Sequence, residues 1–92
     1  MMRQELENII LGEGYRYLAI RTRNRLKLTQ KEMGEKLYMS ESSYSDIETG
    51  ETNCAGTLTA TLLLSMQKDP IVFLNRVLNR MDEYLAAEVL SV

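Results

Sequence analysis

Residues 29–50, TQKEMGEKLYMSESSYSDIETG, decide the fold. Thr29 and Glu32 form the pattern T-x-x-E, in which the hydroxyl accepts a backbone N–H and the glutamate reaches back to the threonine N–H. This capping box predicts a helix opening at residue 30. Met33 and Leu37, four apart, give that helix its inward face. Ser40 is a second N-cap, and Tyr44 and Ile47 point inward from the helix it opens. Gly50 ends that helix in a left-handed conformation, which glycine adopts without steric penalty. The stretch therefore reads as two short helices about a tight break.

The same logic extends outward. Leu6, Ile9 and Ile10 follow i, i+3, i+4 spacing and predict a short amphipathic opening helix, which Gly12 and Gly14 should break. Residues 15–27 read as the next helix, with Tyr15, Leu18, Ala19, Thr22 and Leu26 on one side. Arg16, Arg21, Arg23, Arg25 and Lys27 make this segment basic, without an acid among them. Residues 51–56, ETNCAG, read as a loop. Thr57 caps a further helix to about Gln67, carrying Leu58, Leu62, Leu63 and Met66. Asp69 caps the last helix and Pro70 takes its first position, where a missing N–H costs nothing. That helix extends to about residue 89. No segment alternates polar and apolar as a half-buried strand does. The expected fold is all-α: a compact bundle of about five helices with a long C-terminal helix.

At 92 residues the chain reads as one domain, 1–92, without linkers or repeats. A chain this short buries only a little over roughly 60% of its unfolded surface, so dimerisation would help it. Cys54 is the single cysteine, which forbids an internal disulfide, and its sequence neighbours offer no basic group to activate it. The absence of histidine removes the usual zinc sites and histidine-based catalysis. No metal or cofactor is expected, and no enzyme: the carboxylates are scattered, and Gly12-x-Gly14 is too short for a phosphate loop. No apolar run reaches a membrane span, and the opening MMRQELENII lacks the apolar core of a signal peptide, so a cytoplasmic location is expected.

From Ala19 to about Met66 the chain resembles the Cro/cI-type (XRE-like) helix-turn-helix family. The resemblance rests on LTQKEMGEKL, residues 28–37, followed by MSESSYSDIETG, residues 39–50. Gly34 is small where that family brings two helices together. Leu37, Tyr44 and Ile47 fill a miniature core. Arg23 and Glu48 match the family's arginine and glutamate, implying a partly buried ion pair between the first and third helices of the motif. The resemblance implies a DNA-binding transcriptional regulator of the phage or bacterial repressor type, dimeric, with the helix at about 40–49 in the major groove. Glu41, Ser42, Ser43, Ser45 and Asp46 match the base-facing positions. Gln30 and Ser40 match phosphate-contacting ones, and Arg25, Lys27 and Lys31 lie near the same helix entry.

The chain also departs from that family. Tyr38 stands where its turn usually has glycine, and Glu41 and Asp46 stand where many members are basic or amidic. Across residues 29–51 Lys31 and Lys36 face Glu32, Glu35, Glu41, Asp46, Glu48 and Glu51, a net charge of −4, and the whole chain carries −2. Duplex DNA carries one negative charge per roughly 1.7 Å of axis, so this face repels it. A second reading follows: a helix-turn-helix scaffold whose acidic face binds a protein or mimics DNA. The last helix, about 70–89, bears an apolar stripe, Leu74, Leu78, Met81, Tyr84, Leu85 and Val89, wider than one small core covers. A homodimer through this stripe is expected.

Overall fold

A computed structural model describes residues 2–53 and 56–90, without the side chains of 89 and 90. Cys54 and the side chain of Val89 lie outside the described residues. Helix α1 (Met2–Glu7) passes through a more widely wound stretch, Asn8–Tyr15, directly into α2 (Arg16–Leu26). Helices α3 (Gln30–Lys36), α4 (Glu41–Thr49), α5 (Gly56–Ser65) and α6 (Pro70–Leu90) follow. Counting residues 2–26 as one continuous rod, the described residues form an all-α bundle of five helical bodies.

Gly12 and Gly14 do not break the first helix, contrary to the sequence expectation. They fall inside the wide stretch, where bonds of the i→i+5 type keep the backbone paired. Gly14 has a tertiary reason instead. A Cβ there would lie 3.2 Å from Val77 Cγ2 and 3.7 Å from Phe73 Cζ, so its bareness lets α6 pack close. Helix α5 opens at Gly56, one residue before the expected cap, and ends at Ser65 rather than near Gln67. Leu58 faces solvent, and Thr59 and Leu63 supply the buried face.

The core gathers Tyr15, Leu18, Ala19, Met33, Leu37, Tyr44, Leu63 and Phe73. Tyr15 and Phe73 meet edge to face with ring centres 5.0 Å apart, which fixes α6 against the first rod. Thr22 is buried on α2, and its hydroxyl accepts a 2.9 Å hydrogen bond from Gln67 Nε2, which also donates to the Leu63 carbonyl. Leu26 is exposed and lies outside the core.

Two chain reversals share one geometry. After α2, Leu28 N donates to Arg23 O at 3.1 Å and Lys27 N to Asn24 O at 3.2 Å. After α3, Met39 N donates to Gly34 O at 2.9 Å and Tyr38 N to Glu35 O at 3.2 Å. Both are the paired bonds that close a helix with a left-handed residue, here Lys27 (φ 56°) and Tyr38 (φ 58°) in place of glycine. Gly34 is required at the second reversal, because a Cβ would fall 2.9 Å from the Met39 carbonyl oxygen.

Tyr38 is 80% exposed, so its side chain contributes little packing against that backbone cost. A non-glycine residue in this conformation costs about 1 kcal/mol, part of which glycine's greater freedom in the unfolded chain takes back. Tyr38→Gly should therefore raise stability by about 0.5 kcal/mol, a shift of a few degrees in Tm. Tyr38→Val, branched at Cβ, should lower it. A thermal melt that ranks the valine variant above the glycine variant would refute this reading of the turn.

Candidate nucleic-acid interface

The Glu32 and Thr29 side chains close the capping box on α3: Glu32 N donates to Thr29 Oγ1 at 3.1 Å and Thr29 N to Glu32 Oε1 at 2.9 Å. These bonds to Thr29 hold the Glu32 carboxyl below its ordinary range. Ser40 Oγ accepts from Ser43 N at 3.1 Å and donates to Ser43 Oγ at 3.0 Å, which starts α4. The two caps fix where α3 and α4 begin, and so which side chains share the outer face.

Glu48 ties these helices to α2. Arg23 donates to it through two nitrogens, Nε to Oε2 at 2.6 Å and Nη2 to Oε1 at 3.1 Å. Gln30 Nε2 donates to Oε1 at 3.1 Å, and the hydroxyl of the fully buried Tyr44 lies against Oε2. Arg23 Nη1 also donates to the Leu28 carbonyl at 3.1 Å, so one guanidinium ties α4 to the α2–α3 reversal. The expected Arg23–Glu48 pair is thus bidentate, with side chains 22% and 9% exposed. Arg16 Nε adds a 2.9 Å bond to the Glu48 carbonyl near the end of α4, where a cation suits the helix dipole.

The outer face is concave. Gln30 from α3 joins Ser40, Glu41, Ser42, Ser45 and Asp46 around one shallow groove. Ser43 is exposed but stands outside it, its hydroxyl engaged with Ser40. None of the groove's wall residues is Lys or Arg. Arg25, grouped in the sequence reading with Lys27 and Lys31, is directed elsewhere: its Nη2 donates to the Met66 carbonyl at the end of α5, at 2.6 Å. That bond spans 41 residues of sequence and left no local signal. Lys27 and Lys31 are exposed.

Glu48 explains a pH dependence. Burial pushes its carboxyl up, but donation from Arg23, Tyr44 and Gln30 outweighs burial and holds it below its ordinary 4.5. The folded group is thus more acidic than the unfolded one. Its stabilisation is complete above the ordinary value and drains away as pH falls below 4.5 toward the folded value. Glu48→Gln should flatten that acid limb in chemical denaturation. Arg23→Ala strands the carboxylate and should cost about 3 kcal/mol, near the low end for a buried pair. A loss under about 0.5 kcal/mol, the size of an ordinary surface change, would show that the pair does not hold the fold.

Among curated proteins and among solved structures, nothing matches the chain. Residues 20–59 match the helix-turn-helix family model. That segment begins inside α2 and ends inside α5, enclosing α3, α4 and the groove between them. The family is one of DNA-binding regulatory domains and not a catalytic one. Through residues 20–59 the chain is similar to the Cro/cI-type, XRE-like helix-turn-helix family of DNA-binding regulators.

Proposed function

We propose that the chain is a homodimeric, sequence-specific repressor that lays α4 in the major groove of duplex DNA. The observation that carries this reading is the groove itself, where Gln30 meets the outward side chains of α4. Ser42 and Ser45 offer hydroxyls to base edges, and Glu41 accepts from a cytosine amine. Ser40 and Gln30 face the backbone. Among the described residues no helix is long and apolar enough to cross a membrane, in keeping with a cytoplasmic regulator.

The dimer follows from α6. Ile71, Leu74, Leu78, Met81 and Leu85 recur at alternating spacings of three and four, the seam along which two helices pair. Ile71 and Leu78 are more than half exposed. Tyr84 belongs to the other side of α6, where its hydroxyl meets Glu5 of α1 in the same chain. Leu78→Glu with Ile71→Lys should give a folded monomer in sedimentation, against a dimer for the unmodified chain at micromolar concentration. A monomeric unmodified chain would remove the dimer from this proposal.

A second reading is favoured by one specific observation: Glu41 and Asp46 line the groove, and no cation balances them there. On that reading the face binds a basic protein surface. Salt dependence separates the two. Each phosphate neutralised adds roughly 0.9 to the slope of log affinity against log salt, so Lys27 and Lys31 support a slope of at most roughly two per subunit. Fluorescence anisotropy with duplex DNA should show weak binding with this shallow slope, strengthened in Glu41→Gln/Asp46→Asn. Failure of both proteins to bind duplex at low salt would transfer the groove to the protein-binding reading.

A further inference from the structure

The strongest concentration of unpaired positive charge lies away from the groove. A cleft of about 310 Å³ opens between α2 and the α5–α6 corner, with Arg21, Arg25, Lys68 and Arg76 around it. Asp69 is the one acid in its wall, and its carboxylate already accepts the Ile71 N–H at 3.1 Å while capping α6. Four cations against one acid leave +3 in a chain whose total is −2. Among the described residues Arg21, Lys68 and Arg76 form no ion pair. The floor is apolar, made by Leu18, Val72 and Phe73.

The cleft has a continuation. A smaller hollow of about 130 Å³ shares the walls Tyr17, Phe73 and Arg76 and runs on to Ile9, Gly14 and Val77. Arg80 Nε and Glu13 Oε2 pair at 3.3 Å on its rim, which leaves the shared Arg76 as the one unbalanced charge in its wall. The pair of hollows therefore has a cationic mouth and an apolar extension. Its mouth is near the lower end of the roughly 300–1,000 Å³ typical of small-molecule sites.

We propose that the cleft between α2 and α6 binds a small amphipathic anion, its phosphate or carboxylate head among Arg21, Lys68 and Arg76 and its apolar tail along Phe73 toward Val77. Arg25, anchored to the Met66 carbonyl, contributes charge from a fixed position. A duplex backbone would satisfy the cations but has nothing apolar to cover the floor. An uncharged lipid would leave the cations facing a hydrocarbon. A molecule with one anionic end and one apolar end meets both demands.

The test uses the full chain labelled with 15N and titrated with octyl phosphate and nonanoate, which carry the same eight-carbon tail on a phosphate or a carboxylate head. Saturable shifts should appear at Tyr17, Arg21, Val72 and Arg76. Removing methylenes from the tail should weaken binding, by up to about fourfold for each one fully buried. Inorganic phosphate and octanol, each lacking one half, should bind at least about tenfold more weakly. Arg21→Gln with Arg76→Gln should lower affinity with little change in Tm, since both side chains are exposed; Lys68→Gln alone gives a second reading of the mouth. The proposal is overturned if neither probe saturates by about 10 mM. It is overturned also if octanol or inorganic phosphate binds as well as the amphiphiles. Duplex DNA giving the same shifts at the cleft would overturn it in favour of a backbone-binding surface.

Discussion

A carboxylate taken out of water needs donors in fixed places, and Glu48 finds three: Arg23, Gln30 and Tyr44. Each comes from a different part of the motif. Arg23 is on α2, Gln30 begins α3, and Tyr44 lies one turn back on α4. An ionised carboxylate buried without partners would cost several kcal/mol, so the three parts are held where they satisfy it. The pair is a weak source of net stability, since desolvation consumes much of the attraction. Its larger effect is geometric. The two parallel bonds from Arg23 leave little freedom in the angle between α2 and α4, and the Gln30 bond sets where α3 begins relative to both. Tyr44 is buried without exposure because Glu48 and the Ala19 carbonyl both lie within reach of its hydroxyl, at 3.3 Å for the carbonyl.

Helix α2 then serves both ends of the molecule. Leu18, Ala19 and Thr22 are its buried stripe. At 3.6 residues per turn, Arg16 and Arg23 fall on one flank of that stripe and Tyr17, Arg21 and Arg25 on the other. The first flank holds Glu48 and the last turn of α4. The second forms a wall of the basic cleft. One run of arginines without an intervening acid is thereby split into two populations with different work, a division that charge counting along the sequence cannot make.

What was legible in the sequence was local or depended on fixed spacing. The caps at Thr29 and Ser40 involve residues three apart, and the core positions Met33, Leu37, Tyr44 and Ile47 follow the helical repeat. The pairing of Arg23 with Glu48 came from family resemblance, because nothing at a separation of 25 residues announces a contact. Three features escaped because tertiary packing decides them. Gly14 looks like a breaker but is a crossing point for α6. Arg25 looks like a phosphate contact but is held by a carbonyl 41 residues away. The apolar stripe of α6 divides between Phe73 and Val77, which face the chain's own core, and Ile71 and Leu78, which do not. Periodicity shows that a face is apolar and not what covers it.

The acidic groove and the basic cleft belong to one electrostatic problem. A groove with Glu41 and Asp46 and no balancing cation repels phosphates, so affinity there must come from base edges and shape and cannot come chiefly from counterion release. That favours discrimination over strength. Such a protein would hold a well-matched site and leave bulk DNA alone, since the sequence-independent part of its binding is small. In the proposed dimer the second subunit would bind at the effective concentration set by the first, so affinity would rise without any added cation in either groove. On the proposed reading, the exposed seam on α6 and the acidic face of α4 would fit one design, in which occupancy depends on pairing of subunits more than on attraction to the backbone. A monomer of this chain, with its acidic reading face and only Lys27 and Lys31 near the helix entry, would have little hold on a duplex.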